Sequence, residues 1–368
     1  MIIYLCPIHG KGAKAKKIPS LLLKLDISKA FDLVSWEFLL KLLQFRGFGR
    51  RWCGWIAALF LATSTKVLVN SMLSDVIHHR KGLRQGDPLS PLLFVLVMDC
   101  LGRLMDKAQT DGVLAPLGQQ QLRHRASIYA DDVMIFIKPA EEDIQAVTQI
   151  LDVFGGATGL HTNLAKSKIL PIRCDGLDMN PLQHAMGCQL ATFPCTYLGM
   201  PLSDKKLKKN DLQIIIDKLA KKAASWKGKW ISIDGRLILV KFVMAVMPIY
   251  QLLAIDFPKW TMKQIEKLQR AFLWAGSDKV SGGKFLVKWT QLCQPIRYGG
   301  LGIPNLSLQG TALKMRWLWL NKTDKEKPWQ GLPVPSSPEA LAIFKALTTS
   351  LLAMDQAFYS GMIIGCKV

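Results

Sequence analysis

The 368-residue sequence predicts an α+β fold, and three observations predict it. Through the first two hundred residues, short runs rich in β-branched and aromatic residues alternate with stretches of helical periodicity. Several of those runs lie close together, with only turn residues between them, which makes hairpins in the sheet rather than parallel crossovers. Beyond Pro201 the strand-like runs stop, and the remaining periodic segments read as helices.

Residues 1–20 show no periodicity and carry a lysine cluster (Lys11, Lys14, Lys16, Lys17), so they read as a loose lead-in. Leu21 to Leu25 is apolar apart from Lys24 and ends at Asp26, the pattern of a buried strand delivering a carboxylate at its tip. Ser35 is a helix N-cap, with Phe38, Leu39, Leu42 and Leu43 as the apolar face and Gly47 past the end. Trp52, Ile56, Leu59 and Phe60 space as a second helix, and Thr65 to Asn70 with Val76 to Arg80 as a hairpin pair. Ser90-Pro91 reads as a cap followed by proline at the first helical position, opening a helix over Leu92 to Asp106. Ser127 to Ala130 and Val133 to Ile137 are strands, Glu141 to Thr158 a helix with acids in its first turn. Strands return at Lys168 to Ile172 and Cys195 to Leu198. Later, Leu212, Ile215, Leu219, Ala223 and Trp226 form one helical stripe and Met262, Ile265, Leu268 and Phe272 another. Trp226 and Trp230 read as packing residues, with base-stacking as the alternative. Residues 321–368 turn Pro- and Ser-rich, then weakly helical, and carry no motif.

The chemistry concentrates at Tyr129-Ala130-Asp131-Asp132, where two aspartates fall at the tip of an apolar hairpin. Adjacent carboxylates repel, so such a tip persists when positive charge sits against it. A divalent metal suits that role, and an exposed Asp-Asp turn is the plainer alternative. His78, His79 and His161 have no carboxylate or thiol partner at ligand spacing and read as structural.

Composition narrows the class. Half of the residues are apolar and 20% charged, which excludes a disordered chain. The formal net charge is +21, so a polyanion is the expected partner, nucleic acid first and an anionic membrane surface second. The excess is spread along the chain, with 18 Lys and Arg against 7 Asp and Glu between Met200 and Thr290. Eight scattered cysteines without a C-x-x-C pair argue against a structural zinc site and for a reducing compartment. Met1 to Pro7 is too short for a signal peptide. Leu237 to Ile255, broken by Lys241 and Pro248, reads as a buried core helix rather than a membrane span.

Three segments belong together: Leu25-Asp26-Ile27-Ser28-Lys29-Ala30-Phe31-Asp32, Gly82-Leu83-Arg84-Gln85-Gly86-Asp87-Pro88-Leu89-Ser90-Pro91, and Tyr129 to Asp132. In this order the sequence resembles the reverse transcriptase of LINE-type (non-LTR) retrotransposons, most like those of plants. Gly159-Leu160, Asn163, Lys166-Ser167, then Tyr197-Leu198-Gly199-Met200-Pro201-Leu202 and Gly300-Leu301-Gly302-Ile303-Pro304-Asn305-Leu306 extend the resemblance over roughly Leu21 to Leu320.

The resemblance implies a right-hand polymerase palm with partial fingers over residues 21–203, a basic helical thumb over 204–275, and an extension of no assigned role over 276–368. It implies RNA-directed DNA synthesis from a DNA primer on an RNA template with dNTPs. Two Mg²⁺ ions, with Mn²⁺ as the alternative, would be held by Asp26, Asp131 and Asp132. Phe31 would exclude a ribose 2′-hydroxyl or simply fill core. Arg84, Gln85 and Gly86 would meet nucleotide and template, Arg84 being otherwise a solvated charge. Lys166, or equally Lys168, would serve as proton donor to pyrophosphate or as a phosphate contact. Tyr197, Leu198 and Gly199 would form the primer grip, and Lys205, Lys206, Lys208 and Lys209 would track the backbone unless they are a plain solvated face. The resemblance also implies a nuclear setting, and a longer fingers region than the twenty-five residues before Asp26 supply. A catalytically inert nucleic-acid-binding remnant is therefore the alternative, and an intron maturase a more distant one.

Overall fold

Leu21, Leu23 and Leu25 alternate with Leu22, Lys24 and Asp26 along one strand, and that alternation sets which sheet face does what. The structure is a computed structural model and describes residues 19–117, 125–205, 207–225, 228–255, 257–278, 286–323, 338 and 340–348. The chain parts into two compact units between Phe193 and Pro194, ten residues before the boundary expected after Ser203.

The first unit is built on a five-stranded sheet. Its strands are β1 (Ser20–Asp26), β6 (Ala126–Tyr129), β7 (Asp132–Ile137), β8 (Lys168–Ile172) and β9 (Gln189–Leu190), in the order β6-β7-β1-β8-β9. All pairings are antiparallel except β8 with β9. Leu21, Leu23 and Leu25 pair with Ile137, Ile135 and Val133 and face a core closed by the short helix Asn180–Met186 and by four longer helices. These are α2 (Trp36–Phe45), α3 (Arg50–Leu61), α4 (Ser90–Thr110) and α5 (Glu141–Thr158), preceded by the short α1 (Ala30–Leu33). Each large side chain so buried contributes about 1.5–3 kcal/mol. Leu22, Met134 and Phe136, on the opposite face, are also buried.

The local expectations hold for α5 and β8, whose ends match to the residue. The Ser35 hydroxyl caps α2 by accepting from the Phe38 N–H. Two expectations are corrected. Ser90 lies buried inside the first turn of α4, whose N-cap position falls on Leu89 with no side-chain cap, and the Leu89 N–H donates to Asp87 Oδ1 at 2.9 Å just outside the helix. The expected hairpin pair is four two-residue strands, β2 (Ser64–Thr65) with β5 (Ile77–His78) and β3 (Leu68–Val69) with β4 (Met72–Leu73). Its tight turn falls at Asn70 and Ser71, both at positive φ.

The second unit opens with the hairpin β10 (Cys195–Tyr197) and β11 (Met200–Leu202). Two long helices follow, Lys209–Ser225 and Lys259–Ala275, with a helical stretch between them. Trp289, Leu292, Ile303 and Leu306 share one core with Ile216, Leu219, Ile265 and Phe272. The segment after Ala275 is therefore structurally continuous with the helices before it. The stretch Ile233–Ala254 is apolar enough to cross a membrane by length and composition, but only 28% of its 18-residue apolar window is buried. It is not the single buried core helix expected: a π-helical segment, Val240–Met244, interrupts it, and Ile238, Phe242 and Val246 face outward. Trp230 is 87% exposed, which overturns its reading as a packing residue, and Trp226 lies outside the described residues.

Candidate active site

The antiparallel register places Asp26 directly opposite Asp132, so the two carboxylates leave the same face of neighbouring strands. Such pairs have Cβ atoms about 4.5–5.5 Å apart. Asp131 occupies the two-residue turn between Tyr129 and Asp132, beside Ala130, which holds a left-handed φ of 52°. That turn closes without glycine, a strained conformation kept at the tip of a hairpin whose β7 strand is buried. Asp26 and Asp131 are exposed and Asp132 half-buried. Burial raises the Asp132 pKa above the ordinary aspartate value; the Asp131 and Asp26 charges add to this, and Lys24 opposes it.

The three acids do not form a finished cage. Among the described residues, no three His, Cys, Asp or Glu side chains converge closely enough to hold an ion by themselves. The donor set still fits a hard divalent cation. Mg²⁺ needs only one or two protein carboxylates and fills its remaining positions with waters and phosphate oxygens.

The Gly82–Pro91 segment is pinned by backbone. The Gly82 N–H donates to the Val34 carbonyl at 2.8 Å and the Leu83 N–H to that of Phe31 at 2.6 Å. The Trp36 Nε1–H donates to the Gly82 carbonyl at 2.6 Å. Gly82 has a φ of 89°, and a Cβ there would stand 2.6 Å from the Asp32 carbonyl oxygen. Only glycine fits. Gly86, the glycine expected to allow close approach, also has positive φ, but a Cβ there would meet nothing within 4 Å.

Asp32, Gly82, Leu83, Arg84, Gln85 and Asp87 line part of a cleft of about 960 Å³ that continues along α3 to His78 and His79. Arg84, Gln85 and Gly86 are exposed there. The half-buried Phe31 stacks on Phe94, with ring centroids 4.6 Å apart and planes 17° apart. Lys166 is exposed on the turn before β8, and Lys168, also exposed, is the register partner of Lys24. In the second unit, Tyr197 is buried while Leu198 and Gly199 make the β10–β11 turn at φ 48° and 75°. Lys205, Lys208 and Lys209 are exposed around the start of the Lys209–Ser225 helix, and Lys206 lies outside the described residues.

Three further residues acquire importance from contacts that local sequence does not reveal. Lys24 shares the sheet face of Asp26, and Asn163 and Ser167 hydrogen-bond to the Asp26 backbone. Burial pushes the Cys188 thiol up to about 11, leaving it inert at neutral pH.

Comparison with known proteins adds the lineage. The reverse transcriptase (RNA-dependent DNA polymerase) family model matches residues 7–202. The transposon TX1 149 kDa protein of Xenopus laevis is 27% identical over 288 residues, 76% of this chain and 21% of that protein. The Pol polyprotein of the type-1 retrotransposable element R2 from Popillia japonica is 30% identical over 155 residues, 41% of this chain and 21% of that one. A telomerase structure from Candida tropicalis, with a TWJ fragment of telomeric RNA, aligns at 11% identity and a TM-score of 0.42, covering 88% of this chain and 50% of that one. The chain spans about a fifth of the length of these curated relatives.

Proposed function

The chain belongs to the reverse transcriptase (RNA-dependent DNA polymerase) family, among those of non-LTR retrotransposons, and from that membership we propose that it copies RNA into DNA. The substrates are an RNA template, a DNA primer and dNTPs, and the reaction is in-line attack of the primer 3′-hydroxyl on the α-phosphate. One observation supports this above the rest: the lone acid Asp26 and Asp132 of the acidic pair, 106 residues apart in sequence, stand opposite each other across two strands.

Asp26, Asp131 and Asp132 are the residues that would hold Mg²⁺, with Mn²⁺ as a substitute. Bound there, the ions would lower the hydroxyl's pKa and offset charge on the triphosphate. The rest is positioning by protein groups. Phe31, held by its stack on Phe94, keeps one ring face for the incoming sugar and disfavours a 2′-hydroxyl. Arg84 and Gln85 stand at the cleft edge and meet the nucleotide and template, with Gly86 allowing close approach. Lys166 supplies a proton to departing pyrophosphate, and Lys168 is near enough in sequence to share that part. Residues 21–203 serve as the palm with partial fingers. Tyr197, Leu198 and Gly199 grip the primer, and residues 204–275 form a thumb whose Lys205, Lys208 and Lys209 contact backbone phosphates, each contact steepening the salt dependence by about one unit. The family's priming on chromosomal DNA points to a nuclear setting.

The test is extension of a DNA primer on an RNA template with Mg²⁺, wild type against Asp131→Asn. Extension lost in the variant supports the proposal. Wild-type protein that binds template–primer and never extends it would leave only a nucleic-acid-binding remnant.

A further inference from the structure

Asp26 is the last residue of β1, where ladder pairing with β8 has already ended at Lys24. Its backbone is nonetheless held on both sides. The Asn163 N–H donates to the Asp26 carbonyl at 2.7 Å, and the Asp26 N–H donates to the Ser167 Oγ at 3.1 Å. The same Ser167 hydroxyl donates to the Asn163 carbonyl at 2.7 Å. An isolated bridge joins Ile27 to Thr162, and the Ser28 N–H donates to the His161 carbonyl at 2.9 Å. Ser167 is fully buried. One hydroxyl therefore accepts from the acid's own residue and donates to the turn opposite, leaving neither of its polar capacities idle.

That turn also carries Lys166. The Lys166 N–H points back to the Asn163 carbonyl at 3.2 Å and to the Asn163 side-chain oxygen at 3.3 Å. Asp26 and Lys166 thus leave two backbone segments that Ser167 and Asn163 tie together. We propose that Ser167 is a positioning residue, fixing the Asp26 carboxylate toward its cation and locking the Lys166 turn to it. The assignment rests on the polymerase reading for its consequence in catalysis. Its consequence for metal binding stands separately.

Ser167→Ala removes both hydrogen bonds while changing little volume, and Ser167→Thr keeps the hydroxyl. Outer partners of metal ligands typically govern about a tenfold or larger change in affinity or activity. Ser167→Ala should therefore weaken Mn²⁺ binding, read by electron paramagnetic resonance titration, about tenfold. It should lower kcat for primer extension by a similar factor with KM for dNTP unchanged. Ser167→Thr should recover both. Ser35→Ala, which removes the α2 cap instead, serves as the control for general destabilisation and should move neither readout. Mn²⁺ affinity in Ser167→Ala equal to that of Ser35→Ala would overturn the inference. Mn²⁺ binding that depends on Asp26 and Ser167 in a protein that never extends a primer would retain the positioning role and discard the polymerase reading. Binding indifferent to Asp26→Asn would discard both.

Discussion

Replacing Arg125 should open the hairpin that carries the acidic tip. Arg125 immediately precedes β6 and is 2% exposed. Its Nε donates to the Gln109 side-chain oxygen at 2.7 Å, and its Nη2 to the carbonyls of Leu114, at 3.4 Å, and Ala115. Its Nη1 lies 3.8 Å from an oxygen of Asp143, whose side chain is equally buried. Asp143 in turn accepts from the Ala115 N–H at 3.1 Å and the Lys138 N–H at 3.2 Å. The pair thus fastens the base of β6–β7 to the segment after α4 and to the start of α5. Burial draws the Arg125 guanidinium below its ordinary pKa, and Asp143 counters that pull. Arg125→Ala strands a buried carboxylate, a change that costs about 3–5 kcal/mol. Against total stabilities of about 5–15 kcal/mol, that is a large share. Hydrogen exchange of the 126–137 peptide across a urea series in the full-length protein reads the loss. The double variant Arg125→Met/Asp143→Asn should be more stable than the sum of its single variants by about 1–3 kcal/mol. A loss below about 1 kcal/mol in Arg125→Ala, or strict additivity in the double variant, would refute the reasoning.

Asp132→Asn should stabilise the metal-free protein at pH 7–8. The folded Asp132 binds its proton more tightly than the unfolded one, so its charge costs stability above the folded pKa, and the cost vanishes as pH falls through it. The gain stays under about 1 kcal/mol because the group is partly solvated, and urea midpoints should converge with wild type at acid pH. Added Mg²⁺ should raise the wild-type midpoint and leave the variant's unmoved. Gly82→Ala should cost about 3 kcal/mol, combining about 1–2 for the left-handed conformation with displacement of the Asp32 backbone. Because α1 must shift to admit the methyl, primer extension should fall with stability, and an active variant of wild-type stability would contradict this account.

What sequence made legible was whatever two-residue or 3.6-residue periodicity writes locally. The apolar run before Asp26 and those flanking Asp131–Asp132 gave strands with acids at their ends, and β1 and β7 are those strands. The helix from Glu141 to Thr158 was equally plain, because its acidic first turn and apolar stripe agree. What failed depended on distant partners. Ser90 looks like a cap in isolation, but the helix already includes it and the N-cap position falls on Leu89. Asn70 and Ser71 turn a hairpin that glycine usually turns, so its centre was not visible. The apolar run near Val240 looked buried, yet only part of one side packs. Ser167 reaches Asp26 from 141 residues away, and no local pattern announces that contact.

The account turns on Asp26 and the Asp131–Asp132 tip sharing divalent cation, and metal-directed backbone cleavage reads that most directly. Fe²⁺ replaces Mg²⁺, ascorbate and peroxide generate radicals at the bound ion, and mass spectrometry locates the cuts. The account predicts paired cuts near residue 26 and near residues 131–132, both suppressed by excess Mg²⁺ and both lost in Asp26→Asn. Cuts at one strand alone, or paired cuts that persist in Asp26→Asn, would contradict it.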